Sequence, residues 1–427
     1  MDHPNRACGS TSDGDWRREL TEAVRDGTEL ARRLGLPDDV AAPSGDWPVL
    51  VPRPYLARIK PGDPRDPLLL QVLPQSEESL CPAGFSTDPL DEAAEAAIPG
   101  LLAKYQGRSL IVTTGQCAVH CRFCFRRHFP FAEAPLSSGG NTPETEPRDS
   151  TSGPNASLTE PRASANGPCR DNAGPSSHSH APALAQIAAD PTIHEAILSG
   201  GDPLMLDDEP LADLIRRLAQ IDHLRRVRVH TRLPVVVPSR VTPSLVGLLR
   251  ATRLSPRVVV HVNHPAEIDA AVARSFARLI DAGIPVMSQS VLLRGVNDDI
   301  ETLAALFERL IDLRVMPYYL HQLDRVAGAA HFEVDESRGR ELIDALRARL
   351  PGYAVPRYVR EIPGNPYKSP LTRIVHDTHT NPKRKRETRN DVSSPANPAD
   401  ILHPASKAAT TPDCPARIEV LECVPCV

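Results

Sequence analysis

The sequence predicts an α/β protein organised as a partial (β/α)6 TIM-like barrel, and three observations predict it. Six short segments rich in β-branched residues recur between residues 109 and 350, amphipathic helical patterns separate most of them, and the chemically unusual residues fall where the segments end. The candidate strands are 110–114, 195–199, 227–230, 258–262, 286–290 and 316–320. Between them Leu211, Leu214, Ile215 and Leu218 fall at i, i+3, i+4 and i+7, and Leu303, Leu306, Phe307 and Leu310 repeat the pattern. Strands alternating with amphipathic helices make right-handed βαβ units, either wound into an open parallel sheet or curled into a barrel. No glycine-rich dinucleotide fingerprint follows the first strand, which argues against the nucleotide-binding open sheet.

In a barrel the chemistry sits at the C-terminal ends of the strands. A cysteine cluster follows the first strand, Gly200-Gly201-Asp202 the second, His230 ends the third and His264 follows the fourth. Residues 1–105 precede the barrel as a mixed, partly helical extension whose clearest helix is 16–34. The barrel itself is assigned to 106–350, a closing segment to 351–377 and a tail to 378–427. An insert at about 134–181 and the tail are rich in Pro, Ser, Asn, Thr and Gly and show neither periodicity. Neither can bury enough apolar surface to offset the entropy of ordering it, so both are expected to be disordered.

Composition narrows the function classes. The 427 residues are 41% hydrophobic, enough for a sizeable core, and a formal charge of −5 with basic residues spread along the chain points to no nucleic-acid or membrane partner. The first thirty residues contain acids and no apolar signal core, and no later apolar run approaches the ~18 residues of a membrane span. A cytoplasmic protein is expected. Of nine cysteines, three crowd into eight positions, which fits metal ligation in a reducing compartment better than a disulfide framework.

Those three, Cys117, Cys121 and Cys124, form C-x-x-x-C-x-x-C within TTGQCAVHCRFCFRRHF. Such spacing lets a tight loop place three thiolates on three irons of a 4Fe-4S cluster and leave the fourth iron without a protein ligand. Two other readings remain: a zinc site completed by His120 or His128, or three unrelated buried cysteines.

The motif resembles that of the radical S-adenosylmethionine superfamily, and CRFCFRRHF, ILSGGDPLM, HTRLPVVVPSR, HVNHP, QSVLLRGVND, MPYYLHQLD and REIPGNPYKSPL resemble its lysine 2,3-aminomutase family over about residues 54–370. DWRRELTEAV, LARRLGLP and FRRHFP further resemble the branch that makes β-lysine for translation elongation factor P. The resemblance implies a radical SAM barrel and three cofactors: the 4Fe-4S cluster, S-adenosyl-L-methionine chelating its open iron, and pyridoxal 5'-phosphate. It implies metal ligation by Cys117, Cys121 and Cys124, and S-adenosylmethionine contacts from Gly200, Gly201, Asp202, His261 and Gln289.

Lys368 matches the lysine that holds pyridoxal phosphate, although Gly364-Asn365-Pro366-Tyr367 stands where the family is richer in glycine. Arg108 and Tyr105 match contacts to that cofactor, Arg108 at its phosphate. Arg126 matches the arginine that grips the substrate carboxylate, and Asp324 and Glu361 match two acids that receive the distal ammonium of lysine. Glu361 is an aspartate in the free-lysine enzymes. The implied partners are lysine as substrate and a flavodoxin- or ferredoxin-type reductant; homo-oligomerisation stays open. An aminomutase for free lysine or another amino acid, and a non-catalytic iron-sulfur scaffold or redox sensor, are the rival functions. Cys414, Cys423 and Cys426 in the tail read either as zinc ligands or as unligated thiols.

Overall fold

The computed structural model describes residues 15–43, 45, 47–92, 98, 100–131 and 180–371. Apart from its last two residues the insert 134–181 lies outside them, as do the tail and Cys8, Cys169, Cys414, Cys423 and Cys426. Among the described residues nine strands form one sheet in strict chain order. They are β1 Leu101–Tyr105, β2 Arg108–Thr114, β3 Glu195–Gly200, β4 Arg226–Thr231, β5 Ser255–His261, β6 Val286–Val291, β7 Met316–His321, β8 Arg357–Arg360 and β9 Ser369–Pro370. Strands β2 to β8 are parallel, and β1 and β9 add antiparallel edges. The two edges do not pair with each other.

All six expected strands are present. The seventh parallel strand, β8, and both antiparallel edges are additions that the sequence pattern did not announce. With no reversal of strand order there is no switch-point crevice of the kind that open doubly wound sheets use. Crossovers that always advance in one direction place their helices on one face. The other face turns inward, and its residues recur with the period of two that a pleated strand requires: Ile197 and Ser199, Arg228 and His230, Gln289 and Val291, Tyr319 and His321 all line one cavity.

The short N-terminal helices include α1 Trp16–Thr21 and α2 Gly27–Arg33; the longer crossover helices are α3 Ala181–Ala189, α4 Asp208–Ala219, α5 Pro243–Arg250, α6 Ala270–Asp281, α7 Ile300–Asp312 and α8 Glu336–Arg349. The apolar stripes read from sequence are the buried ones: Leu211, Leu214, Ile215 and Leu218 of α4, and Leu303, Leu306, Phe307 and Leu310 of α7. Asp299 caps α7 by accepting from the Thr302 N–H at 2.9 Å, and Asp269 caps α6 in the same way through Val272. The helix expected over 16–34 is instead α1 and α2. Val24 breaks it by pairing with Val51 in an antiparallel bridge, and Asp26 restarts the helix by accepting from the Glu29 N–H at 2.8 Å.

The extension also holds the loop that carries the three cysteines. That loop has no ladder of its own, so its backbone groups need outside partners. His120 N–H donates to Leu50 O at 3.1 Å, Arg122 N–H to Gln71 O at 2.9 Å, and Trp47 Nε1 to Cys121 O at 3.1 Å. Arg122 Nε and Arg127 Nη2 share the Glu78 carboxylate at 2.7 and 2.8 Å, all three side chains being less than a tenth exposed. Burial pushes the Glu78 carboxyl up, but the bonds and charges of Arg122 and then Arg127 outweigh it and hold it below the usual range.

Glu78→Ala therefore leaves two buried guanidinia without their counter-charge, and a loss of about 3–5 kcal/mol is expected in urea unfolding. Because the folded-state pKa is depressed, the contribution is whole above the ordinary carboxylate range. It is lost as pH falls through the lowered value, so the variant and the parent converge in acid.

Candidate active site

A cavity of about 250 Å3 opens at the C-terminal ends of the parallel strands and gathers nearly every chemically distinctive residue singled out in the sequence. Cys117, Cys121 and Cys124, Gly200, Gly201 and Asp202, Tyr105, Arg108, Arg126, His261, Gln289, Asp324, Glu361 and Lys368 all line it. His264 is not among the lining residues; its ring accepts from the Ala266 N–H at 3.1 Å and caps a short turn.

The cysteines enter from the loop after β2. Phe123, between the second and third of them, plugs into a small apolar cluster with Leu293, Val296, Leu323, Val326 and Phe332 from the loops after β6 and β7. Burying a phenylalanine there contributes about 1.5–3 kcal/mol and pins the loop to the far side of the mouth. Burial and the neighbouring Cys124 raise the Cys117 thiol well above its ordinary value; burial and then Cys121 push Cys124 up to about 12. Iron must therefore displace protons from these half-buried thiols. Among the described residues no three His, Cys, Asp or Glu side chains converge as one metal ion requires. Three thiols on one loop facing one cavity suit a multi-iron cluster, whose ligands bind different irons, better than a single zinc.

Gly200 and Gly201 meet this loop rather than merely bordering a ligand. Gly200 sits at φ +113°, and a Cβ on Gly201 would stand 2.2 Å from Gln116 O. Only bare backbone lets the end of β3 lie against the cysteine loop. Asp202, expected among the cofactor contacts, spends its carboxylate on the protein. Oδ1 accepts from Leu204 N–H at 3.0 Å and Thr231 Oγ1 at 2.7 Å, and Oδ2 from Arg232 N–H at 2.7 Å and Leu233 N–H at 3.2 Å. Its place is to tie the end of β3 to the end of β4.

The opposite wall carries charge. Lys368, one residue before β9, lies in direct contact through Nζ with the Glu361 carboxylate just after β8. Antiparallel pairing of β9 with β8, Val359 to Pro370 and Arg360 to Ser369, sets that meeting. Burial and then Glu361 push the Tyr105 hydroxyl up, and the Arg108 guanidinium stacks on the Tyr105 ring at 4.6 Å. Arg126 stands between the two walls. Its Nε and Nη2 take the Glu92 carboxylate in a two-pronged pair at 2.6 and 2.8 Å, and Nη1 lies 3.2 Å from Ser199 Oγ.

Three half-buried imidazoles complete the interior. Burial, then Arg228 and Lys368, drive His230 well below its usual value; burial and then Arg232 bring His261 to about 3; burial and then Lys368 bring His321 to about 3. All three are neutral donors and acceptors in a cationic interior. Nε2 of His230 and of His261 has no hydrogen-bond partner among the described residues, as expected of groups shaped to meet a bound molecule. Pyridoxal phosphate fits this wall: an amine, a guanidinium stacked on a phenol, and unpartnered imidazole nitrogens face one space. Sequence reasoning did not find Glu92, His321 or the Arg232 network. Position at the end of β7 could have flagged His321; nothing local flags Glu92, which reaches the site from the extension.

No family model matches the chain. L-lysine 2,3-aminomutase of Escherichia coli (strain K12) is 40% identical over 362 residues, covering 84% of this chain and 94% of that protein. The Haemophilus influenzae protein of the same name is 40% identical over 359 residues, covering 83% and 95%. That of Clostridium subterminale is 33% identical over 362 residues, covering 84% and 77%. Among solved structures, Streptococcus suis SuiB bound to its precursor peptide SuiA aligns with a TM-score of 0.37 at 11% identity, over 60% of this chain and 48% of that one, a likeness too slight to carry an argument. Identity at that level over almost the full length of such relatives, in a chain whose strand ends converge on one cysteine- and lysine-lined cavity, shows that the protein belongs to the L-lysine 2,3-aminomutase family of isomerases, which shift an amino group.

Proposed function

We propose that the protein is a radical S-adenosylmethionine enzyme that converts L-α-lysine to β-lysine. The observation that carries this reading is one cavity with three half-buried thiols on one wall, the Lys368–Glu361 pair on the other and the Arg126 guanidinium between them. Cys117, Cys121 and Cys124 would hold the 4Fe-4S cluster, Gly200, Gly201, His261 and Gln289 would border S-adenosylmethionine, and Lys368, Arg108 and Tyr105 would hold pyridoxal phosphate. Together these groups supply a carbon radical and a conjugated system that stabilises it while nitrogen migrates.

The chain's own residues supply position and charge. Arg126 offers a planar fork that matches a carboxylate and fixes the two carbons beside it. Asp324 and Glu361 supply negative charge for the distal ammonium, so a diamino acid is favoured and glutamate would meet repulsion. Glu361 touches Lys368 Nζ and so fixes the amine at the cavity wall. Val119, Phe123 and Leu323 line the cavity and exclude water from reactive species.

In this reading residues 106–350 carry the radical chemistry, 351–377 deliver Lys368, and 1–105 brace the cysteine loop. β-Lysylation of elongation factor P in the cytoplasm is the assigned use, with a flavodoxin- or ferredoxin-type protein as electron donor; DWRRELTEAV, FRRHFP and the glutamate at 361 support it.

The test is anaerobic reconstitution with iron, sulfide and pyridoxal phosphate, followed by dithionite, S-adenosylmethionine and L-lysine, with products separated by chromatography. β-Lysine is expected, with L-lysine preferred over glutamate, ornithine and arginine. A fully loaded protein that leaves lysine unchanged overturns the reading. Loss of the β-lysyl mass from elongation factor P in cells lacking this protein tests the assigned use.

A further inference from the structure

The guanidinium of Arg232, at the end of β4, is committed in an unusual direction. Nη1 donates to Cys121 Sγ at 2.6 Å, while Nη2 donates to Gln71 Oε1 at 2.7 Å and to Glu267 Oε2 at 3.0 Å. The rings of Tyr55 and Phe123 flank it, each 5.6 Å from its central carbon. Its partners are themselves fixed. Glu267, wholly buried, accepts from the N–H groups of Asn263 at 2.9 Å and His264 at 3.1 Å, and Gln71 Nε2 donates to Pro67 O at 3.0 Å. The Arg232 N–H is held by Asp202 at 2.7 Å. Three separate parts of the chain thus fix one cation against one sulfur.

Such an arrangement is costly to build and has a directional result. Glu267 balances the charge of the buried guanidinium through Nη2, which leaves Nη1 directed at the sulfur. Arg126 and Arg127, which also lie near the thiols, are different: Glu92 takes up the fork of the first and Glu78 pairs with the second. Hydrogen bonds to cluster sulfurs and nearby positive charge are what raise the reduction potential of an iron-sulfur centre.

We propose that Arg232 is a redox-positioning residue whose Nη1–H, donated to the Cys121 sulfur, raises the reduction potential of the cluster and so eases delivery of its electron. The proposal rests on the cluster assigned above. One electron passes from the reductant to the cluster, and no bond is made or broken. The added negative charge, shared by irons and sulfurs, strengthens the N–H···S contact, and that is why the reduced state gains more than the oxidised one.

The experiment uses the full chain, reconstituted anaerobically with iron and sulfide alone, as parent, Arg232→Met and Arg232→Lys. Iron and sulfide content is measured first, then the reduced fraction is followed by paramagnetic resonance during a dithionite titration. For Arg232→Met the ratio of reduced to oxidised cluster at any fixed potential is expected to fall about tenfold, which is 59 mV for a one-electron couple. Arg232→Lys, keeping the charge without the fixed fork, is expected to fall part of the way. An unchanged midpoint in a variant with full iron content overturns the proposal. Failure of both variants to load iron makes Arg232 a structural residue and overturns it equally. A parent chain that holds no cluster would instead defeat the functional reading.

Discussion

Cys124→Ser is expected to fold normally, hold no stable four-iron cluster and turn over no lysine. A hydroxyl in place of the thiol changes little in the iron-free chain, at a cost of about 1–3 kcal/mol for burying an unpaired polar group. With iron the difference is decisive, because the cysteine loop offers three thiols and no spare ligand among the described residues. The rate should fall to background, by about 10^6-fold or more. Visible absorbance after anaerobic reconstitution, circular dichroism and product chromatography check the three parts separately. Cys117→Ser and Cys121→Ser should behave alike, whereas the exposed Cys81, replaced in the same way, should leave all three readouts unchanged.

Lys368→Arg is expected to be as inactive, by about 10^6-fold or more, for another reason. A guanidinium retains its charge at all accessible pH values, so it preserves the pairing with Glu361 yet never presents a free amine. The cluster should load fully, and the pyridoxal absorbance that persists through gel filtration of the parent should be lost. Lys368→Ala should share the spectral loss and in addition leave the largely buried Glu361 carboxylate without this partner. A parent-like spectrum in Lys368→Arg would place the cofactor on another amine.

The parts of the fold that could be read in advance are those with a repeating signal. Strands such as VVVH at the end of β5 and helices with a four-residue apolar stripe declare themselves, since each buries one regular face. The strand RYVR, four residues with charged ends and only two buried positions, carries too little pattern and was folded into the closing segment. The 16–34 helix failed for the opposite reason: its apolar spacing continues through Val24, and only the distant Val51 shows that this residue belongs to a bridge.

The site divides in the same way. Residues on strand ends and in the cysteine loop were legible because the barrel fixes where strand ends go. What supports them was not, because it comes from afar in sequence. Glu92 on Arg126, Gln71 on Arg232 and Glu78 on Arg122 all belong to the extension, where each looks like an ordinary surface polar residue. The bracing by Asp202 of the ends of β3 and β4 was equally hidden, because sequence shows a carboxylate and not its donors.

The extension's grip on the cysteine loop bears on how the protein is made. Gln71 finds Glu267 only 196 positions later, and Arg58 reaches the Glu267 carbonyl across 209. While a ribosome is still synthesising the first half of the chain, these groups have nothing to close upon, and the three thiols emerge into the cell unsheltered. Long closures of this kind form late. The bracing of the cysteine loop is then complete only once the segment around Glu267 has been synthesised, and cluster insertion is expected to follow that point.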